Sequence, residues 1–431
     1  MLRGLDVLPP SVVRDAATGK GARAAARELG ATWLLETSLR VEGARTRARA
    51  RLVDVETGAL TWAAPAIDAS SGESFALEDR LVSVVTDAIV DRLGDGSPMT
   101  DDPDVRPFLD RAIAAARTGT FPAIREAVGI LEEGCARHPG EPWIMCLLAE
   151  NLVRLFSMSG STDAVLAARA EEMALRALAA NPSLGRAYQS IGILRTEQGE
   201  TRAGVRALQE AIARAPRLAD AHSALGVLLG EAGNTGAAVA RLDAAHRLDA
   251  AAVWPRLERA RIRALLGDRA GAESDLREAE ARHGSRPGSM SESVLVRAVV
   301  WWNDRAQAAA LADRFEQTPT GAAWEIATPF LRAFATGTPL PGAREGLVRE
   351  IASTSRATPR NRCRVVEGGA DFFAAMGDHD AALECLEHTA SLPFVDLLWM
   401  DRSPSLDGLR GDPRFARLRA VVAARAADLW R

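Results

Sequence analysis

The residues best suited to chemistry in this chain are two Cys-x-x-His pairs, Cys135 with His138 and Cys385 with His388. A thiolate and an imidazole at that spacing can chelate zinc. A structural zinc site takes four ligands, however, and the two pairs lie 250 residues apart in the sequence. The six histidines include no His-Glu-x-x-His, and Cys146 and Cys363 complete no Cys-x-x-Cys. These groups read as structural or surface residues, and the four cysteines as thiols of a reducing compartment.

Other reaction chemistries lack their residues. Of 53 basic residues only Lys20 is a lysine, and Gly21 follows it, so no phosphate-binding Gly-x-x-x-x-Gly-Lys-Ser/Thr loop exists. Arginine stays protonated and makes a poor base or Schiff-base nucleophile. Ser-x-x-Lys and Gly-x-Ser-x-Gly are absent, and adjacent carboxylates such as Glu171 and Glu172 suit ion pairs on helix faces. No catalytic residue, cofactor or metal is expected.

The elements that would position any site are helical. Hydrophobic residues make up 47% and aromatics only 5% of the 431, with alanine abundant, which favours close-packed helices over sheets. A formal net charge of −4 argues against nucleic acid as a partner. The amino terminus has no secretory pattern and no run reaches the length of a membrane span, so a cytoplasmic chain with no membrane partner is expected.

Residues 1–96 have their own texture. A helix over 21–29 stops at Gly30, a strand runs over 31–41, and Glu42-Gly43 turns into a second strand over 44–55. There Arg45, Arg47, Arg49 and Arg51 alternate with Ala48, Ala50 and Leu52, as on a half-buried strand with a solvated arginine face. A third strand over 59–64 and a helix over 74–93 complete a small α+β unit, and residues 97–106 read as a linker.

Beyond the linker the chain repeats. Gly199, Gly233 and Gly267 stand 34 residues apart, as do Leu208, Leu242 and Leu276, and Ala211, Ala245 and Ala279. With a small residue midway along each first helix (Gly192, Gly226, Ala260), this is the tetratricopeptide pattern of antiparallel helix pairs stacked into an α-solenoid. The register predicts that Gly199 and Gly233 end their helices with positive φ and that Leu208 and Leu242 are buried. Regular repeats fill 107–284, with a nine-residue surplus assigned to a lengthened turn over 156–164. Arg256, Arg259 and Arg263 take places usually apolar, which suggests a rotated helix. Residues 285–359 read as degenerate helical repeats, and 360–431 as a final repeat with a capping segment.

The inward positions of the first helices define a groove for an extended or helical peptide. The register places Arg186, Gln189, Ile193 and Glu197 there, then Asp220, Ser223, Val227 and Glu231, then Trp254, Leu257 and Arg261. The mixture is neither basic nor acidic, and it lacks a clamp for a chain-terminal carboxylate. Trp254, Trp301 and Trp302 are candidate anchors, with inter-helix packing as the alternative role.

Two segments resemble a known family. Ala26-Arg27-Glu28-Leu29-Gly30-Ala31-Thr32-Trp33-Leu34-Leu35-Glu36, with Leu52-Val53-Asp54-Val55-Glu56-Thr57-Gly58-Ala59-Leu60-Thr61-Trp62, is similar to the TolB amino-terminal-like domain that precedes tetratricopeptide arrays in bacterial signalling proteins. The closing stretch from Trp399 to Phe415 resembles the end of such arrays. Only Leu5 to Leu8 and a short connection stand ahead of the matching helix, so the unit reads as amino-terminally shortened. The resemblance implies a non-enzymatic scaffold of a bacterial signalling or regulatory system that binds a protein or peptide. The alternative it implies is the sensory half of a transcriptional regulator, nucleotide cyclase or protein kinase whose effector domain lies outside this chain.

Overall fold

The computed structural model describes residues 16–31, 33–43, 45–64, 66–70, 102–116, 118–158, 163–249, 252–283, 290–317, 322–352 and 358–431, and single positions at 12, 77, 81, 85 and 100. The helix expected over 74–93 is described only at Leu77, Leu81 and Val85, each helical, and the opening Leu5 to Leu8 lies outside the described residues. The chain divides into two compact units, Met1–Pro98 and Met99–Arg431.

In the first unit, helix α1 (Ala22–Glu28) precedes strands β1 (Trp33–Glu42), β2 (Arg45–Asp54), β3 (Leu60–Ala63) and β4 (Ile67–Ser70). β1 and β2 form an antiparallel hairpin from Trp33↔Asp54 to Glu42↔Arg45, which leaves two residues for the turn. Gly43 takes φ 58° there, as a tight hairpin turn requires. β3 and β4 pair with successive halves of β2 on its other edge, so among the described strands β1 lies at an edge. Ala48, Ala50 and Leu52 face inward, while Arg45, Arg47, Arg49 and Arg51 are exposed. Arg47 pairs with Asp68 at 2.7 Å and Arg51 with Glu36, so the arginine face is solvated and partly neutralised.

The second unit is a tetratricopeptide-type α-solenoid. Its described residues hold successive paired helices: α2 (Arg106–Ala116) with α3 (Phe121–Arg137), α4 (Pro142–Met158) with α5 (Ala164–Ala180), α6 (Gly185–Glu197) with α7 (Thr201–Arg214), and α8 (Ala219–Glu231) with α9 (Thr235–Leu248). Then come α10 (Trp254–Leu265) with α11 (Arg269–His283), α12 (Met290–Trp301), α13 (Arg305–Gln317) with α14 (Ala322–Thr336), α15 (Ala343–Ala352), and α16 (Pro359–Ala375) with α17 (His379–Glu387). A short α18 (Leu397–Arg402) and a long α19 (Pro413–Asp428) close the chain.

The repeat register has a steric cause. Gly199 and Gly233 each take φ 86° just after their helix, a conformation that costs a residue with a Cβ about 1 kcal/mol. Leu208 and Leu242 are fully buried. The first and second helices of the α6/α7 pair touch backbone to backbone at two glycines. A Cβ on Gly204 would stand 2.9 Å from the Gly192 carbonyl oxygen and 2.3 Å from Thr196 Oγ1. Gly204→Ala is therefore expected to lower the stability of this unit by about 1–3 kcal/mol, read from the urea midpoint. An unchanged midpoint would mean that the two helices are free to separate.

Two expectations need correction. The nine surplus residues do not make a long turn: α4 and α5 have 17 residues each against 13 and 14 in α6 and α7, so most of the surplus lengthens the helices. α10 uses both faces without giving up its register position Ala260. Leu257, Ala260 and Ala264 are buried, while Arg259 bonds Asp243 and Asp275 and Arg256 reaches Glu278. In the 285–359 stretch helices persist but the pairing shifts, with α13 packed chiefly against α14. Asn303, with φ 50°, stands where the closing glycine belongs, and Gly337, 34 residues on, takes φ 70°. Asparagine tolerates the left-handed region better than most residues, so it ends α12 as glycine ends α6.

Candidate partner-binding surface

The inward positions of α6, α8 and α10 form rows, because equivalent residues recur every 34. In the row of the first helical turns, the Asp220 side chain is 47% exposed and Trp254 is 38% exposed, while the Arg186 side chain, paired with Glu150, is 19% exposed. The next row, Gln189, Ser223 and Leu257, is buried. The row in the last turns, Glu197 and Glu231, is met by the chain itself. Arg360 donates to Glu231 at 2.6 Å and Arg364 to Glu197 at 3.5 Å, both from α16.

The closing segment continues across α10. Arg261 lies buried between Glu258 on its own helix and Asp396, each 2.8 Å away. Val395 and Leu429 join the core of α7 and α8, Arg202 pairs with Asp428 at 3.1 Å, and Pro393 lies against Gly199. Of the eight residues expected to face a partner, Glu197, Glu231 and Arg261 thus hold the chain's own carboxyl-terminal segment. Gln189 and Ser223 are buried beside them in the register, Arg186 is half-buried, and Asp220 and Trp254 stay accessible. Sequence reasoning missed this covering segment. Its signal was Arg360 and Arg364, one helical turn apart on one face, against two glutamates one repeat apart.

Around the open row the charges alternate. Glu150 on α4 accepts from Arg154 and Arg186, each at 3.2 Å, and Arg154 lies 3.8 Å from Asp220. Burial pushes the Glu150 carboxyl up, but the two arginines outweigh it and hold it below the usual carboxylate range. Burial in the recess pushes Asp220 upward, against the pull of Arg154. The recess offers both signs of charge beside one accessible indole.

Behind the closing segment lies a buried polar hub. Asp371 on α16 accepts from Trp301 Nε1 at 2.9 Å, Trp399 Nε1 at 3.0 Å, Ser403 Oγ at 2.7 Å and Arg297 at 3.2 Å. Arg297 also reaches Glu367 at 2.5 Å, and its guanidinium stacks 4.9 Å from the Trp301 ring. Trp301 is thus a packing residue, whereas Trp254 keeps an accessible face.

Asp396 accepts the backbone N–H of Trp399 at the start of α18 as well as the Arg261 guanidinium. Burial, reinforced by Glu367 and Glu231, nevertheless carries its carboxyl up to about 7, against the opposing pull of Arg261. A folded pKa above the unfolded value near 3.9 means that the fold holds the proton more tightly. The resulting stabilisation is full below the unfolded pKa and is lost as pH rises toward about 7. Asp396→Asn mimics the neutral carboxyl, so the native chain is expected to lose stability relative to this variant between about pH 4 and 7. Thermal unfolding across that range checks the sign, and the opposite slope would mean that the Arg261 ion pair outweighs burial.

The Cys-x-x-His residues do other work. The His138 ring meets Phe108 edge-on, centroids 5.9 Å apart, and His388 opens a short turn after α17. Among the described residues no group of three or more His, Cys, Asp or Glu side chains gathers as a metal site would require. No described helix is long and apolar enough to cross a membrane.

The frame and its recess define a helix-pair repeat protein. No known protein family matches the chain, and no curated protein does. Among solved structures, yeast Tom70 is similar at 15% identity over 79% of this chain and 77% of that one, with a TM-score of 0.38. The TPR domain of P58(IPK) is similar at 12% identity over 76% of this chain and 98% of that one, with a TM-score of 0.20. At these scores the likeness carries no argument, and the fold assignment rests on the helix pairs themselves.

Proposed function

We propose that this chain is a non-enzymatic scaffold of a bacterial signalling or regulatory system, cytoplasmic, with its first unit a TolB-like domain. It holds a protein or peptide partner against Arg186, Asp220 and Trp254. The observation that carries this reading is the accessible row itself: an indole and charges of both signs, fixed on stacked helices by ion pairs with Glu150 and Arg154. Such a recess suits a segment with one apolar side chain flanked by charged ones, since accessible tryptophan and arginine dominate binding energy at interfaces. Effector chemistry belongs to the partner in this reading.

Paired pull-downs from the native lysate test it. Proteins retained by the native chain are expected to fall about tenfold or more with Asp220→Lys/Trp254→Ala, given the ~2 kcal/mol typical of a hot-spot residue. Equal retention by both chains would remove this row from the function.

A further inference from the structure

The first unit carries a surface unrelated to the repeat recess. Cross-strand partners share a face, so Leu35, Thr37, Leu39 and Val41 of β1 lie on the face of Leu52, Ala50, Ala48 and Thr46. On β2 the Ala48, Ala50 and Leu52 side chains of that face are buried, but on β1 it is open: Leu35 is 41%, Leu39 66% and Val41 68% exposed. β1 is ten residues long and, among the described strands, pairs only with β2. A long edge with an exposed apolar stripe is a template for another strand, and natural edges usually blunt it with charged side chains, proline or a bulge. Among its described residues β1 has no proline or bulge, and its charged side chains Glu36 and Arg40 lie on the other face and are opposite in sign.

We propose that β1 pairs antiparallel with β1 of a second copy of this chain, on a two-fold axis through Ser38. In that register Glu36 lies opposite Arg40 of the second copy and Ser38 opposite Ser38, with Glu42 against Leu34 at the ends. On the other face Leu35 meets Val41 and Thr37 meets Leu39, so the two apolar stripes merge. The neighbouring registers that keep the faces matched are worse. Centring on Thr37 also sets a charge, Arg40, against Leu34, and gains no pair of opposite charges in return. Centring on Leu39 sets Glu36 against Glu42, and like charges at directly opposed positions are destabilising. A two-fold interface is self-complementary by construction, and the opposite charges of Glu36 and Arg40 at equal distances from Ser38 meet that demand. Glu36 also pairs with Arg51 in its own sheet, which orients it beside the edge.

Sedimentation of the full chain over a concentration series tests the association, and cysteine cross-linking tests the register. The native chain is expected to sediment as a dimer, and Leu39→Lys as a monomer. Under mild oxidation Ser38→Cys is expected to form a covalent dimer at least about tenfold faster than Arg40→Cys. Two thiols introduced at position 38 would face one another within disulfide reach, whereas two introduced at position 40 would stand about 13 Å apart. Glu36→Cys and Arg40→Cys, each inert alone, are expected to cross-link when mixed. A native chain that stays monomeric, or Arg40→Cys cross-linking as fast as Ser38→Cys, would overturn the proposal.

Discussion

Asp371→Asn is expected to destabilise the repeat unit by about 3–5 kcal/mol, the cost of breaking a buried ion pair by removing one partner. Both carboxylate oxygens of Asp371 are used: Oδ1 accepts from Trp399 and Ser403, and Oδ2 from Trp301, Arg297 and again Trp399. An asparagine keeps one acceptor and turns a donor toward indole N–H groups that are themselves donors, so at least one buried N–H is orphaned at about 1–3 kcal/mol. Arg297 keeps Glu367 and loses its second counter-charge. Urea unfolding followed by tryptophan fluorescence reads the effect directly, because Trp301 and Trp399 sit at the hub. A loss below about 1 kcal/mol would mean that water replaces the missing acceptor.

Arg261→Met is expected to cost a similar amount, about 3–5 kcal/mol at about pH 8, because it leaves Glu258 and Asp396 buried without their shared cation. The cost should shrink toward about pH 5, where Asp396 takes up a proton in place of its partner. Adding Asp396→Asn keeps a side-chain acceptor for the Trp399 N–H and removes one uncompensated charge. The double variant is therefore expected to recover much of the loss at the higher pH. A loss that is equal at both pH values and unrelieved by the second substitution would show that Arg261 acts through packing of its stem. The pair bears on function, since Asp396 and Arg261 tie the closing segment to the face where a ligand groove was expected.

Much of the fold was legible in the sequence because tetratricopeptide packing demands particular residues at particular places. Gly199, Gly233 and Gly267 must turn left-handed, and Gly192 and Gly204 must let two backbones touch, so substitution there is expensive and the period is visible. The register was lost near residue 303 because asparagine performs the glycine's task under another letter, and because α14 and α16, at 15 and 17 residues, are longer than α6. The groove positions were legible one by one, yet their occupant was not. Contacts such as Arg360 with Glu231 or Arg261 with Asp396 join residues more than a hundred positions apart, and periodicity carries no information about such pairs. The open row survived because only the last turns of the first helices meet α16.

Whether a protein partner sits against Trp254 is tested most directly by site-specific photo-cross-linking in the native cell. A photoreactive residue in place of Trp254 is expected to give discrete covalent adducts with protein. The same residue in place of Leu175, which is 52% exposed on α5, should give none of those bands. Equal labelling from both positions, or no protein adduct at position 254, would contradict a partner on this row.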